Sequence, residues 1–149
     1  MWEKVFKESF SMSLTKGPVV IFSENFVYLG LNFISFTSIE SSTDHEEIIK
    51  TRNDPRIRSF MFNDKIIELD EHLEFVSNLR NMKEKMYWAA YDGSKFIGSI
   101  NLIDISIENK RAKLGIYSKP DERGYGGRLL ETLKWLAFEK FSMTRGFGK

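Results

Sequence analysis

The chain has 149 residues, 42% hydrophobic and 29% charged, with a formal net charge of +1 and no cysteine. This length suits one domain, and the near-neutral balance gives no global field toward nucleic acid or membrane. Without cysteine there is no disulfide, thiol nucleophile or thiolate metal site, a composition that fits the reducing cytoplasm.

The opening "MWEKVFKESF" mixes glutamates with lysines, and the longest early apolar run, "PVVIF", is far shorter than the roughly 20 residues of a membrane span. Neither an export signal nor a membrane anchor is expected. Residues 1–30 read as a weakly patterned N-terminal extension, broken at Gly17-Pro18, and residues 31–149 as the domain. "LNFISFTSI" (31–39) reads as a strand. "SSTDHEEIIKTRND" offers N-caps at Ser42, Thr43 or Asp44 and predicts a helix to Arg52, which Pro55 interrupts. "ELDEHLEFVSNLRNM" predicts a second helix with Leu69, Leu73, Val76 and Leu79 on one stripe.

"KMYWAAYDGSKFIGSINLIDISI" predicts two strands joined at Asp92-Gly93-Ser94, because Asp-Gly between β-rich runs marks a hairpin. A turn at Glu108 to Lys110 and a third strand, Ala112 to Ser118, follow. "KPDERGYGGRLLETLKWLAFEKF" then opens with a proline and three glycines and continues as an amphipathic helix through Leu129, Leu130, Leu133, Leu136 and Ala137. The tail "SMTRGFGK" has no strand pattern. A strand, two helices, a three-strand meander, a glycine loop and a helix together predict an α+β domain, with helices on a mixed, mostly antiparallel sheet.

The glycine turn is the most specific chemical signal. A helix start leaves backbone N–H groups unpaired and attracts phosphate, and glycine lets the backbone approach an anion closely. Gly124, Gly126 and Gly127 lie at such a start between Arg123 and Arg128. A P-loop is excluded, since Gly-Gly-Arg stands where Gly-Lys-Ser/Thr is needed. A dinucleotide fingerprint is disfavoured by Leu129 at its sixth position and by an antiparallel meander where a βαβ unit belongs. A plain turn with a helix cap remains a reading of the glycines alone.

Asp121-Glu122-Arg123-Gly124-Tyr125-Gly126 resembles the acyl-CoA loop of the GNAT N-acetyltransferases, with Asp in place of the usual first Gln or Arg. "TRNDPRIRSFMFNDKIIELDEHLEFVSNLR", "FIGSINLIDI", "KLGIYSKPDERGYG" and "WLAFEKF" further resemble the N-acetyltransferases of pseudaminic acid biosynthesis (the PseH type), over roughly residues 31–141. The resemblance implies the GNAT fold, and transfer of acetyl from acetyl-CoA, a co-substrate, to the 4-amino group of a UDP-4-amino-4,6-dideoxy sugar that serves flagellin glycosylation. It assigns Arg52, His72, Asn101 and Tyr117 to the nucleotide sugar. Leu102 falls where a relative has lysine. The strand from Leu114 through Ile116 to Tyr117 is implied to pair its backbone with the pantetheine arm. Arg123, Gly124, Tyr125, Gly126, Gly127 and Arg128 are implied to hold the diphosphate.

Relatives continue with further strands and a helix that carries a general-acid Tyr; nothing after Phe141 matches it, so the chain reads as a partial domain with its catalytic acid unassigned. The open edge this leaves favours self-association, which keeps a homo-oligomer open. Other roles stand beside the implied ones. Arg52 also reads as a helix-end cation, His72 as a packed histidine and Tyr117 as a core residue. His45, among acids at a helix start, is expected at the surface, so no metal site is expected from two distant histidines. Glu46, Glu47, Glu68, Asp70 and Glu71 read as solvated faces and caps, and Trp88 and Trp135 as core. Two other functions stay open: a non-catalytic acyl-CoA-binding domain, and an acetyltransferase with a different amine acceptor.

Overall fold

The computed structural model describes residues 11–13, 25–61, 64–106 and 111–137. Its elements in chain order are β1 (Ser11–Ser13), β2 (Phe26–Tyr28), β3 (Leu31–Ser35), α1 (Ser42–Asn53), α2 (Pro55–Arg58), α3 (Leu69–Leu79), β4 (Met86–Asp92), β5 (Lys95–Ser106), β6 (Arg111–Ser118) and α4 (Gly126–Trp135). The strands form one sheet in the order β1-β6-β5-β4-β3-β2, and every described pairing is antiparallel. β1 and β2, both within the first thirty residues, pair at its two edges.

Local chemistry accounts for most boundaries. The strand expected over residues 31–39 ends at Ser35, whose hydroxyl accepts from the Thr37 N–H and turns the chain into a 3-10 turn (Phe36–Ser38). α1 starts where the Ser41 hydroxyl accepts from the Asp44 N–H, one residue before the caps expected at Ser42, Thr43 or Asp44. Pro55 ends α1 as expected and also begins α2, because its missing N–H costs nothing in a first turn. Asp54 caps that turn through Arg56 N–H. The Asp92-Gly93-Ser94 hairpin joins β4 to β5, with Gly93 at φ +64.

The sheet buries both faces. Against α4 lie Leu31, Phe33, Trp88, Ile97, Ile100, Leu102, Leu114 and Ile116, packed with Leu129 and Leu133. Against α1, α2 and α3 lie Ala89, Phe96 and Tyr117, packed with Ile48, Ile57, Val76 and Leu79. A bulge at Ala90/Tyr91 opposite Gly98 resets the alternation along β5, so Phe96 and Ser99 share the helix-pair face. The stripe expected on α3 is corrected: His72, Val76 and Leu79 are buried, whereas Leu73 is exposed. One residue of helical rotation separates His72 from Leu73, and the face that meets α1 takes the histidine. Trp88 is fully buried, and Trp135 is half-buried and stacks on Tyr28 at 4.2 Å between ring centroids. The break at Gly17-Pro18, the turn at Glu108 to Lys110 and the 142–149 tail lie outside the described residues.

Candidate functional site

Chemistry-bearing groups gather around β6 in two places. One is its junction with α4. Gly124 takes φ +86, a conformation that side chains rarely adopt, and this reverses the chain into the helix. Tyr125, at the N-cap, offers no side-chain acceptor to the first-turn N–H groups. The positive end of the helix is therefore left to solvent or ligand. A methyl group placed on Gly124 or Gly127 would meet nothing within 4 Å among the described residues, which leave the space over this first turn open.

The flanking side chains brace the turn. The Tyr125 ring is buried in the α4 core and its hydroxyl donates to the Asp92 carboxylate, tying the loop to the β4–β5 hairpin. Lys95 pairs with Glu122 at 3.0 Å and Arg56 with Asp121 at 3.0 Å. Arg128 lies over the Tyr125 ring at 5.1 Å and donates to the Leu29 carbonyl at 3.1 Å, so its guanidinium also tethers the β2–β3 turn. Arg123 is exposed.

β1 pairs only with Arg111, Ala112 and Lys113 of β6. Leu114 to Tyr117 therefore have a strand neighbour on the β5 side alone among the described residues. Leu114 and Ile116 send their side chains into the α4 core, which fixes this length of strand, and among the described residues no strand pairs with its outer backbone edge.

The second place is the face under α1 and α3. The register puts Tyr87, Asn101 and Gly115 in one row across β4, β5 and β6, and Ala89, Ser99 and Tyr117 in the next. The Asn101 amide lies over Gly115, where a Cβ would come within 2.5 Å of its Oδ1 and displace the amide from this position. Leu102, one residue on, is fully buried on the opposite face. Arg52 reaches this face from α1, half-buried and in electrostatic range of Tyr117 and Tyr87. Burial pulls the Arg52 pKa down but cannot deprotonate a guanidinium. Burial pushes both phenols up, against the pull of Arg52, so they are neutral at neutral pH. Asn53 fixes the end of α1 by bonding both backbone groups of Ile67, each at 2.8 Å.

The two histidines correct the reading of His45 as a surface residue. His45 is 3% exposed and His72 6%. His45 Nδ1 lies 2.9 Å from His72 Nε2, and His45 Nε2 lies 2.8 Å from the Ile39 carbonyl. Polar neighbours in sequence concealed an inward position that only the arrival of α3 creates. Tyr87 was also missed, since "KMYWAAYD" has no polar alternation to mark a site.

Arg52, Asn101 and Tyr117 thus share one face, His72 of α3 lies against Phe36, which packs on Tyr87 of that face, and the 123–128 turn lies at the end of the same strand as Tyr117. Glu47 pairs with Lys119 at 3.1 Å, and Glu71 accepts from the Glu68 N–H at 3.0 Å, roles in keeping with solvated faces and caps. Among the described residues no group of three His, Cys, Asp or Glu could hold a metal, and no helix is long and apolar enough to cross a membrane.

Residues 36–148 match the acetyltransferase (GNAT) domain family. Two curated relatives, both named acetyltransferase PseH, come from Campylobacter jejuni. The first, from serotype O:2, is 35% identical over 99 residues, 66% of this chain and 61% of the relative. The second, from serotype O:23/36, is 33% identical over 109 residues, 73% of this chain and 67% of the relative. The chain therefore spans less than two thirds of the first relative. The crystal structure of Campylobacter jejuni N-acetyltransferase PseH superimposes with a TM-score of 0.59 at 26% identity, covering 75% of this chain and 70% of that one. The same enzyme in complex with acetyl coenzyme A gives 0.58 at 27%, covering 74% and 70%.

Proposed function

The chain belongs to the acetyltransferase (GNAT) family, and from that premise we propose that it takes part in transfer of acetyl from acetyl-CoA to the 4-amino group of a UDP-4-amino-4,6-dideoxy sugar in pseudaminic acid biosynthesis. The observation that carries this reading is that β6 borders both places. Its outer edge and the open helix start beyond it suit an acyl-CoA arm, and Tyr117 on the same strand faces Asn101 and Arg52. The names of the relatives and the acetyl coenzyme A complex support the same substrates.

Each group has a physical task in this reading. The backbone from Leu114 to Tyr117 hydrogen-bonds the pantetheine amides. The N–H groups of Gly126, Gly127 and Arg128, with the charge of Arg123, hold the CoA diphosphate. Arg52 binds the diphosphate of the nucleotide sugar in a fork of parallel hydrogen bonds. Asn101, Tyr117 and His72 orient the sugar. The neutral amine attacks the thioester carbonyl, a C–N bond forms, the C–S bond breaks, and a proton passes from the amine while another reaches the departing thiolate. Holding amine and thioester together supplies much of the rate. No general acid is assigned among the described residues. A chain without cysteine and a soluble co-substrate fit a cytoplasmic location.

Incubating the purified chain with acetyl-CoA and the UDP-4-amino sugar, and following free thiol and product mass, tests the reading. One acetyl added to the sugar supports it. Transfer to other amines but not to the sugar overturns the acceptor. Acetyl-CoA binding with no transfer to any amine leaves an acyl-CoA-binding module.

A further inference from the structure

His45 and His72 form a buried pair whose hydrogen-bond directions can be read from one carbonyl. The Ile39 oxygen only accepts, so the His45 Nε2 beside it, at 2.8 Å, carries the hydrogen. A neutral imidazole has a single N–H, so His45 Nδ1 accepts. His72 Nε2, 2.9 Å away, must then donate. Both rings are set in the Nε2–H form, and the free lone pair of the chain of bonds falls on His72 Nδ1. That atom has no hydrogen-bond partner among the described residues.

The surroundings keep His72 neutral. Phe36 packs its ring edge-on to His72 at 5.6 Å and is itself packed on Tyr87 of β4, a neutral phenol. α1 contributes His45 and no carboxylate acting on His72; among the described residues His45 is the one titratable group that influences it. Burial first, and the neighbouring ring second, hold the His72 pKa down to about 4.

We propose that His45 is a positioning residue that locks His72 in one neutral tautomer, so that His72 Nδ1 accepts a hydrogen bond from an N–H or O–H of the acceptor substrate. This rests on the reading of the α1–α3 face as the acceptor site. It divides the work on that face by chemistry. A lone pair repels phosphate oxygens, so His72 recognises a donor on the sugar and Arg52 alone takes the diphosphate charge. A histidine without its partner could rotate between tautomers or protonate, and would then favour the phosphate instead.

Long-range proton–nitrogen spectra of the histidine-labelled chain read the tautomers directly. Both rings should show the Nε2–H pattern at neutral pH, and that of His72 should persist unchanged from about pH 8 to about pH 6, where a free histidine titrates. His45→Phe keeps the bulk and removes the acceptor. In it the His72 signal should become a mixture of tautomers, and KM for the acceptor should rise roughly tenfold, the loss of about one hydrogen bond, with KM for acetyl-CoA unchanged. His45→Gln keeps one acceptor and one donor and should restore much of the acceptor KM. An Nδ1–H form or an imidazolium of His72 at neutral pH in the unaltered chain would overturn the proposal. So would a folded His45→Phe variant with unchanged tautomer and acceptor KM. Absence of turnover in every variant would count against the proposed reaction, while the spectra would still decide the pairing.

Discussion

The two faces of the sheet use the same strands for opposite ends. Toward α4, the side chains of Leu31, Phe33, Trp88, Ile100, Leu102, Leu129 and Leu133 are fully buried and form a continuous apolar layer. Toward α1 and α3, the protein buries His45, His72 and Tyr117 and half-buries Arg52, Tyr87 and Asn101. Burying polar groups is unfavourable unless they are paired, so that face contributes less stability for its area. β6 links the two: Leu114 and Ile116 anchor it in the dry layer, and Gly115 and Tyr117 look the other way. The difference teaches that one face is built for rigidity, while the other, held by it, carries the polar groups that the proposed reading assigns to the acceptor.

Substitutions should separate these roles. Phe33→Ala, in the dry layer, should cost about 3–5 kcal/mol in urea unfolding and leave turnover per folded molecule unchanged. A cost below about 1 kcal/mol would break the comparison, since the apolar layer would not be the main source of stability.

Acid should act on the other face. The folded pKa of His72, about 4, lies below its ordinary 6.5, so between these values the unfolded chain binds more protons. His72 therefore contributes stability that is fully present above pH 6.5 and is lost as pH falls toward 4, by up to about 3 kcal/mol. Urea midpoints at neutral and mildly acid pH, compared with those of His72→Gln, isolate this part; equal acid slopes in both chains would remove it.

Arg52→Met should lower kcat/KM for the nucleotide sugar by roughly 100-fold, about 2.7 kcal/mol of transition-state binding. Stability should change by less than about 1 kcal/mol, because relieving a half-buried charge offsets its lost contacts. A large unfolding effect with unchanged kcat/KM would return Arg52 to a structural role. The smallest effect belongs to neither face. Glu71→Ala removes the acceptor for the Glu68 N–H at the start of α3 and should cost about 1 kcal/mol in the same unfolding assay, with kinetics unaltered.

Much of the dry face was legible in the sequence because its signals are local. Asp92-Gly93 marks the hairpin, the leucines of α4 repeat at helical spacing, and Gly124 to Gly127 announce the helix start. The chemical face was legible only in part. Arg52, His72, Asn101 and Tyr117 are implied by family resemblance, and the fold puts Arg52, Asn101 and Tyr117 on one face. His45 was misread because Ser-Thr-Asp-His-Glu-Glu looks like a solvated first turn, and its partner lies 27 residues away. Leu73 was placed in the stripe because leucine is ordinarily the buried neighbour, whereas α3 turns His72 inward. β1 and β2 have three residues each, too few to show alternation.

The central claim is that acetyl-CoA seats at the turn from β6 into α4, and a calorimetric titration of acetyl-CoA into the chain and into Gly127→Leu tests it most directly. The side chain added at Gly127 begins in open space, so the fold should tolerate it and urea midpoints should match. The account predicts saturable binding by the unaltered chain and at least a tenfold loss, about 1.4 kcal/mol, in the variant. Equal affinity in a folded variant, or no binding by the folded unaltered chain, would contradict it.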